Sequence, residues 1–254
     1  MTALILGCGF TGERVARRML ARGAKVIGTA RNPSRLVGIR AIRVEDVPGV
    51  IERGCLVLHS IPPEGAPDVV ALLGDSPSRV VYLSTTGVYG AARSVDEATP
   101  VDWSSERAQV RLDAEQATAV GPWSTLVLRP AAIYGPGRGV QESVRRGTYP
   151  PGENFISRIH VDDLAALTEA ALLSDLTGAY PVADDEPARA IDITRFCCDR
   201  LGLPVPPPEP GLPGEDTRRA NRRVDGRAIR RLLGVTLQYP SYRSGIPACL
   251  QAVS

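Results

Sequence analysis

Residues 3–23 read "ALILGCGFTGERVARRMLARG", and this stretch decides how the rest of the chain is read. The apolar run at 3–6 has the length of a buried strand. Residues 12–23 place Val15, Met19 and Leu20 on one face of a helix. Between the two lie Gly7, Gly9 and Gly12 in G-x-G-x-x-G spacing. Gly7 permits a tight turn, Gly9 lets backbone N–H groups approach a pyrophosphate, and Gly12 lets the helix pack closely on the strand. Phe10 and Thr11 complete the loop, so the phosphates are expected at the positive end of the helix. Glycine-rich turns also join strands to helices for structural reasons alone. A fingerprint that follows a strand and opens a helix favours dinucleotide binding.

Working outward, "AKVIGTA" (24–30), "CLVLHS" (55–60), "RVVYLST" (79–85) and "STLVLRPAAIYG" (124–135) repeat the short apolar run. Strands of this kind, separated by helices, belong in a parallel sheet covered on both faces. The expected fold is α/β, a Rossmann-like doubly wound parallel sheet with a small C-terminal substrate lobe. A periodic helix is expected after "RIH" at 158–160, and then the composition changes. Residues 201–223 are rich in proline and then basic, as in a long surface loop, and "VDGRAIRRLLG" reads as a short helix ending at Gly234. The expected division is a Rossmann core at 1–178 and a substrate lobe at 179–254.

The strand at 24–30 decides which dinucleotide is expected. An NAD site usually carries Asp or Glu about 20 residues after the glycines, to bind the ribose 2′-OH. Here "GTARNPSR" (28–35) puts Arg31 at that place with Arg35 behind it. A guanidinium fork suits a 2′-phosphate. NADP is therefore expected, with NAD second.

Bulk properties exclude several classes. A hydrophobic fraction of 43% with 23% charged residues is that of an ordinary globular chain. A formal charge of +2 gives no reason to expect a nucleic-acid or membrane partner. No run approaches the roughly 18 apolar residues of a membrane span. Cys8, Cys55, Cys197, Cys198 and Cys249 have no metal-ligand spacing, so no metal is expected. An odd, scattered set of thiols and a start without a basic leader suit the cytoplasm.

Several segments together resemble the extended short-chain dehydrogenases/reductases, which include sugar-nucleotide epimerases and dehydratases. They are "GCGFTG" (7–12), "STTGVYG" (84–90), "LRPAAIYGPG" (128–137) and "RIHVDDLA" (158–165). Order and spacing agree over most of residues 1–180, and the tail at 218–234 resembles the end of the lobe in atypical members. The resemblance implies a catalytic hydroxyl at Thr85, with Ser84 lining the cofactor side. It implies nicotinamide contacts at Pro130 and Ile133, ribose contacts at Ser60, Ile61 and Pro62, and adenine contacts at Asp46 and Val47. Ile133 and Val47 suit a plain core role equally well. Tyr134 and His160 are implied beside the substrate.

The sequence departs from the family at "ERAQVRLDAEQ" (106–116). The usual helix carries Tyr-x-x-x-Lys, whereas alignment puts Arg107 and Arg111 there. No tyrosine lies between Tyr89 and Tyr134, and Lys25 is the chain's one lysine, so no shift of register restores the pair. Arg111 keeps a positive charge for the nicotinamide ribose, but a guanidinium does not shuttle protons. Arg107, one turn earlier on the same face, is suited to a carboxylate or phosphate of the substrate. The dehydratase Asp-Glu pair is also missing, its places being held by Thr86 and Gly87. Tyr89 is the nearest phenol to replace the donor. His160, Asp162 and Asp163 are rivals that helix capping explains as well.

The expectation is thus an NADP-dependent oxidoreductase or epimerase acting on a small carbonyl or sugar-like substrate, with an anionic group on it. Two other possibilities stay open: a dinucleotide-sensing protein without turnover, and a Rossmann domain with an empty site. A homodimer stays open as the assembly.

Overall fold

A computed structural model describes residues 1–63, 68–149, 152–207 and 221–252. The strands are β1 (Thr2–Leu6), β2 (Lys25–Thr29), β3 (Arg40–Ile42), β4 (Cys55–His59), β5 (Pro77–Leu83), β6 (Ser94–Val95) and β7 (Ser124–Pro130). They continue with β8 (Ala132–Tyr134), β9 (Phe155–Ile156), β10 (Arg158–His160), β11 (Gly178–Val182), β12 (Ala188–Arg189) and β13 (Arg223–Val224). The helices are α1 (Gly12–Ala21), α2 (Val69–Leu73), α3 (Glu106–Ala119) and α4 (Val140–Arg145). They end with α5 (Val161–Leu172), α6 (Ala190–Leu201), α7 (Arg227–Leu233) and α8 (Tyr242–Gln251).

Among the described residues, seven strands form one parallel sheet in the order β11-β7-β5-β4-β1-β2-β3. The order reverses beside β1, which opens a crevice at the carboxyl ends of β1 and β4. The fold is the expected α/β Rossmann-like sheet with a small C-terminal region. β1 is buried on both faces, as its unbroken apolar run requires. Val15 and Met19 of α1 are fully buried against it, and Leu20 packs at the edge of the same cluster. Burying each of the first two contributes roughly 1.5–3 kcal/mol.

The short β3 and the edge strand β11 are additions to the expected strands. β11 lies past residue 178, so the main sheet draws its last strand from the segment assigned to the lobe. Ile229 of α7 also packs in the main core. Conversely, Val140 and Val144 of α4 join Ile193, Cys197, Tyr242 and Ile246 in a second core. The two cores therefore do not divide at residue 178, because chain segments from either side of it interleave. Most of the expected loop at 201–223, residues 208–220, lies outside the described residues. No described helix is long and apolar enough to cross a membrane, and no metal-binding cluster is present among the described residues.

Candidate active site

The glycine loop is held from three sides. Gly7 has φ +84°, and its N–H donates to Thr29 Oγ1 at 3.0 Å, while the Cys8 N–H donates to the Thr29 carbonyl at 2.7 Å. Ser60 Oγ lies 2.9 Å from the Leu6 carbonyl oxygen and 2.8 Å from that of Gly7. A Cβ on Gly12 would sit 2.4 Å from the Gly7 carbonyl oxygen, whereas one on Gly9 would meet nothing nearer than 4.0 Å. Gly12 is required by packing; Gly9 faces open space.

The N–H groups of Phe10, Thr11 and Gly12 find no acceptor among the described residues. Orphan donors at the start of a helix form an anion site. The loop therefore fits a pyrophosphate by its own geometry. Arg14 and Arg138 lie over the Phe10 ring, at 4.5 and 5.1 Å from its centroid. Arg31 and Arg35 are exposed past the end of β2 and form no ion pair among the described residues.

Beside this crevice lies a cavity of about 510 Å³. Thr85, Ile133, Arg138, Tyr149, Arg158 and Arg222 are among its lining residues. Arg158 and Arg222 are buried, and no carboxylate lines the cavity among the described residues. Arg222 is clamped by carbonyls: Nε donates to Ala92 at 3.0 Å, and its two Nη groups donate to Thr86 and Gly90. Burial pushes its pKa below the usual guanidinium value. A smaller recess of about 100 Å³ is lined by Thr85, Gly87, Arg107 and Arg111. Thr85 faces both spaces, at the carboxyl end of β5.

The comparisons with known proteins agree with this geometry. A family described as "NADP oxidoreductase coenzyme F420-dependent" matches residues 2–87, the part that carries the glycine loop. A Streptomyces 3-diazoavenalumate denitrifying reductase is 35% identical over 103 residues, and that match spans 34% of the relative and 37% of this chain. A solved structure of a conserved protein of unknown function from Silicibacter pomeroyi is 32% identical, with TM-score 0.83 and 99% of each chain covered. A Methylobacillus flagellatus structure described as an NAD-dependent epimerase/dehydratase is 27% identical, with TM-score 0.79, covering 99% of this chain and 98% of that one. The chain is an NAD(P)-binding Rossmann protein related to the epimerases/dehydratases.

Several of the expected contacts fall elsewhere in the structure. Tyr89 is 2% exposed and packs with Val88, Leu112 and Val224 rather than lining the cavity. Burial pushes its pKa up, and its oxygen accepts a hydrogen bond from Arg129 Nη1 at 3.1 Å. Tyr89 is thus a core residue and not a placed proton donor. His160 is 1% exposed between the rings of Tyr134 and Tyr239. Its Nδ1 accepts the Asp162 N–H at 3.2 Å, and burial lowers its pKa to about 4. It caps α5 and does not reach the cavity.

Asp162 and Asp163 are likewise structural. Asp162 accepts from Arg14 Nε at 2.8 Å, tying α5 to α1. Asp163 accepts the N–H groups of Gln238 and Tyr239 at 2.7 and 2.9 Å. Tyr134 lines the cavity, but its hydroxyl points away to the Ser241 carbonyl at 3.3 Å.

Ser60 spends its hydroxyl on the glycine loop, and Val47 is a fully buried core residue. Pro130 is buried at the end of β7, so Ala131, Ala132 and Ile133 line the cavity in its place. The Ser84 hydroxyl donates to Glu115 Oε1 at 2.5 Å. Asp46 is exposed beside Val47, and Ile61 and Pro62 follow β4 at the mouth of the crevice.

Residues that the sequence reading missed include Thr29, which fixes the glycine loop, and Glu115 with Arg129. The unbroken apolar run of β7 marks Arg129 as a charge inside a buried strand. Arg138, Arg158 and Arg222 carried no such signal, since the chain is rich in arginine throughout.

Proposed function

We propose that the protein is an NADP-preferring reductase, or an epimerase using the same hydride step, on a small carbonyl compound that bears an anionic group. The observation that carries this reading is the position of Thr85. Thr85 lines both the arginine-lined cavity and the recess of Arg107 and Arg111, and its Oγ1 accepts the Gly87 N–H at 3.1 Å, which leaves the hydroxyl proton to donate. A low-dielectric cleft lined by one sign of charge concentrates ligands of the other sign.

In this reading the N–H groups of the glycine loop hold the pyrophosphate, and Arg31 and Arg35 hold the 2′-phosphate. Asp46 and the Val47 backbone flank the adenine, and Ile61 and Pro62 flank its ribose. Arg111 holds the nicotinamide ribose, and Ile133 packs on the ring. The dinucleotide supplies a hydride when bound. Thr85 orients the substrate carbonyl by hydrogen bonding, and Arg107 with Arg138 of the cavity binds its anionic group. The NADP preference draws support from the description of the family matched over residues 2–87.

The test is oxidation of NADPH and NADH by the full-length protein with paired aldehydes, one carrying a carboxylate and one neutral. Turnover with NADPH and the anionic aldehyde is expected. Tight NADPH binding with no turnover on any aldehyde would instead favour a dinucleotide sensor, a reading supported by the burial of Tyr89 and the absence of Tyr-x-x-x-Lys.

A further inference from the structure

The reductive reading leaves one chemical requirement unmet, a proton for the oxygen of the reduced carbonyl. Among the described residues that line the large cavity, few carry a proton they could give. Thr85, Thr86, Ser143 and Ser157 are alcohols, too weakly acidic for general acid catalysis near neutral pH. Arginine does not release its proton. Tyr134 turns its hydroxyl out of the cavity toward Ser241, and burial pushes its pKa up. Tyr149 is the phenol left among the described lining residues.

We propose that Tyr149, held by Arg158, is the proton donor that replaces the missing tyrosine. Arg158 Nη2 donates to the Tyr149 oxygen at 2.9 Å, while its Nη1 donates to the Ile156 carbonyl at 3.2 Å. A guanidinium has donors only, so this contact occupies the phenol's lone pair and leaves its O–H proton unspent. No described residue accepts that proton. Arg158 is itself anchored: it lies in β10, paired with β8, the strand that brings Ile133 to the same cavity. The pair thus divides the roles of the family's Tyr-x-x-x-Lys, a phenol to give the proton and a fixed cation to stabilise the oxygen left behind.

The step rests on the reductive reading and balances as follows. The carbonyl carbon accepts a hydride from the reduced nicotinamide, and the C=O π bond breaks toward oxygen. That oxygen takes the Tyr149 proton and becomes the alcohol hydroxyl. The cofactor is oxidised, the substrate is reduced, and the phenolate beside Arg158 regains a proton from water. Tyr149 touches the substrate; Arg158 acts through Tyr149 and is a positioning residue.

The test compares wild type, Tyr149→Phe, Arg158→Lys and Arg158→Met, using glyoxylate as the aldehyde probe and fluorescence titration for NADPH binding. Tyr149→Phe is expected to bind NADPH within about threefold of wild type and to reduce glyoxylate at least about 100-fold more slowly. Arg158→Lys should keep a part of the rate that Arg158→Met loses. A Tyr149→Phe rate above about a third of wild type would overturn the proposal. A second measurement covers a wild type that is inert toward glyoxylate, an outcome that sinks the reductive reading itself. Protein labelled with 3-fluorotyrosine is mixed with NADP⁺ and glyoxylate, and the fluorine resonance absent in Tyr149→Phe is followed. A shift of that resonance places Tyr149 against the carbonyl; an unmoved resonance overturns the assignment whether or not turnover occurs.

Discussion

Glu115 Oε2 lies 2.6 Å from Nη2 of Arg129, and both side chains are almost wholly buried between α3 and β7. The other carboxylate oxygen takes the Ser84 hydroxyl, and Arg129 also donates to Tyr89. Four side chains thus join the helix that carries Arg107 and Arg111 to β7 and to the segment after β5 that carries Thr85. Removing one member of a buried ion pair strands the other without a partner, at a cost of about 3–5 kcal/mol. Glu115→Ala should therefore lower the denaturation midpoint by far more than an exposed change such as Glu106→Ala on the same helix. Equal melting curves for the two variants would show that the network adds nothing to stability.

Gly9 and Gly12 separate binding from folding. A side chain on Gly9 enters open space where the pyrophosphate is expected, so Gly9→Val should abolish NADP binding and leave the circular-dichroism melt nearly unchanged. Gly12→Val drives its Cβ into the Gly7 carbonyl and should destabilise the fold itself. NADP binding that survives in Gly9→Val would reduce the fingerprint to a structural turn.

Arg31 is expected to set the cofactor preference. Calorimetric titration should find NADP bound at least about tenfold more tightly than NAD, and Arg31→Asp should weaken NADP in particular. The tenfold ratio corresponds to about 1.4 kcal/mol, within the range of a charge-assisted hydrogen bond. Preference for NAD in the wild type would refute the assignment.

Arg107 and Arg111 share one recess with Thr85, but their expected effects differ. Arg111→Ala should weaken NADP binding, because that side chain is assigned to the nicotinamide ribose. Arg107→Ala should leave NADP affinity unchanged and raise the KM for an anionic aldehyde relative to a neutral one. An equal effect on both aldehydes would remove Arg107 from the substrate site.

Asp184 gives stability a pH dependence. It is 2% exposed, one carboxyl oxygen has no hydrogen-bond partner, and burial raises its pKa to about 8. Its folded-state pKa lies above the unfolded value near 3.8, so the native state holds a proton that the unfolded chain releases. This contribution is full below pH ~4 and declines as pH rises through about 8. Asp184→Asn should flatten that decline, raising the melting temperature at pH 8 by about 4 °C or more relative to wild type. His160 acts in the opposite sense. Its folded pKa of about 4 lies below the unfolded 6.5, so its contribution is full above pH 6.5 and is lost as pH falls through 4. A wild-type melting temperature flat from pH 5 to 8, with Asp184→Asn identical, would contradict the assignment for Asp184.

The sequence by itself determined five of the seven strands of the sheet and the dinucleotide loop. Apolar runs of strand length and three glycines at fixed offsets act through neighbouring backbone, so their meaning is local and can be read in order. The loss of Tyr-x-x-x-Lys was legible for the same reason. Tertiary structure alone decided which polar side chains meet. Tyr89 reaches Arg129 across 40 positions and Arg222 reaches Gly90 across 132, and such contacts leave no trace in spacing. Packing turned Tyr89 and His160 inward, because a phenol or imidazole that finds a partner and a well-packed apolar wall is more stable buried than exposed. The same packing brought Tyr149 and Arg158 together at the cavity wall, a meeting that neither residue's place in the sequence had marked.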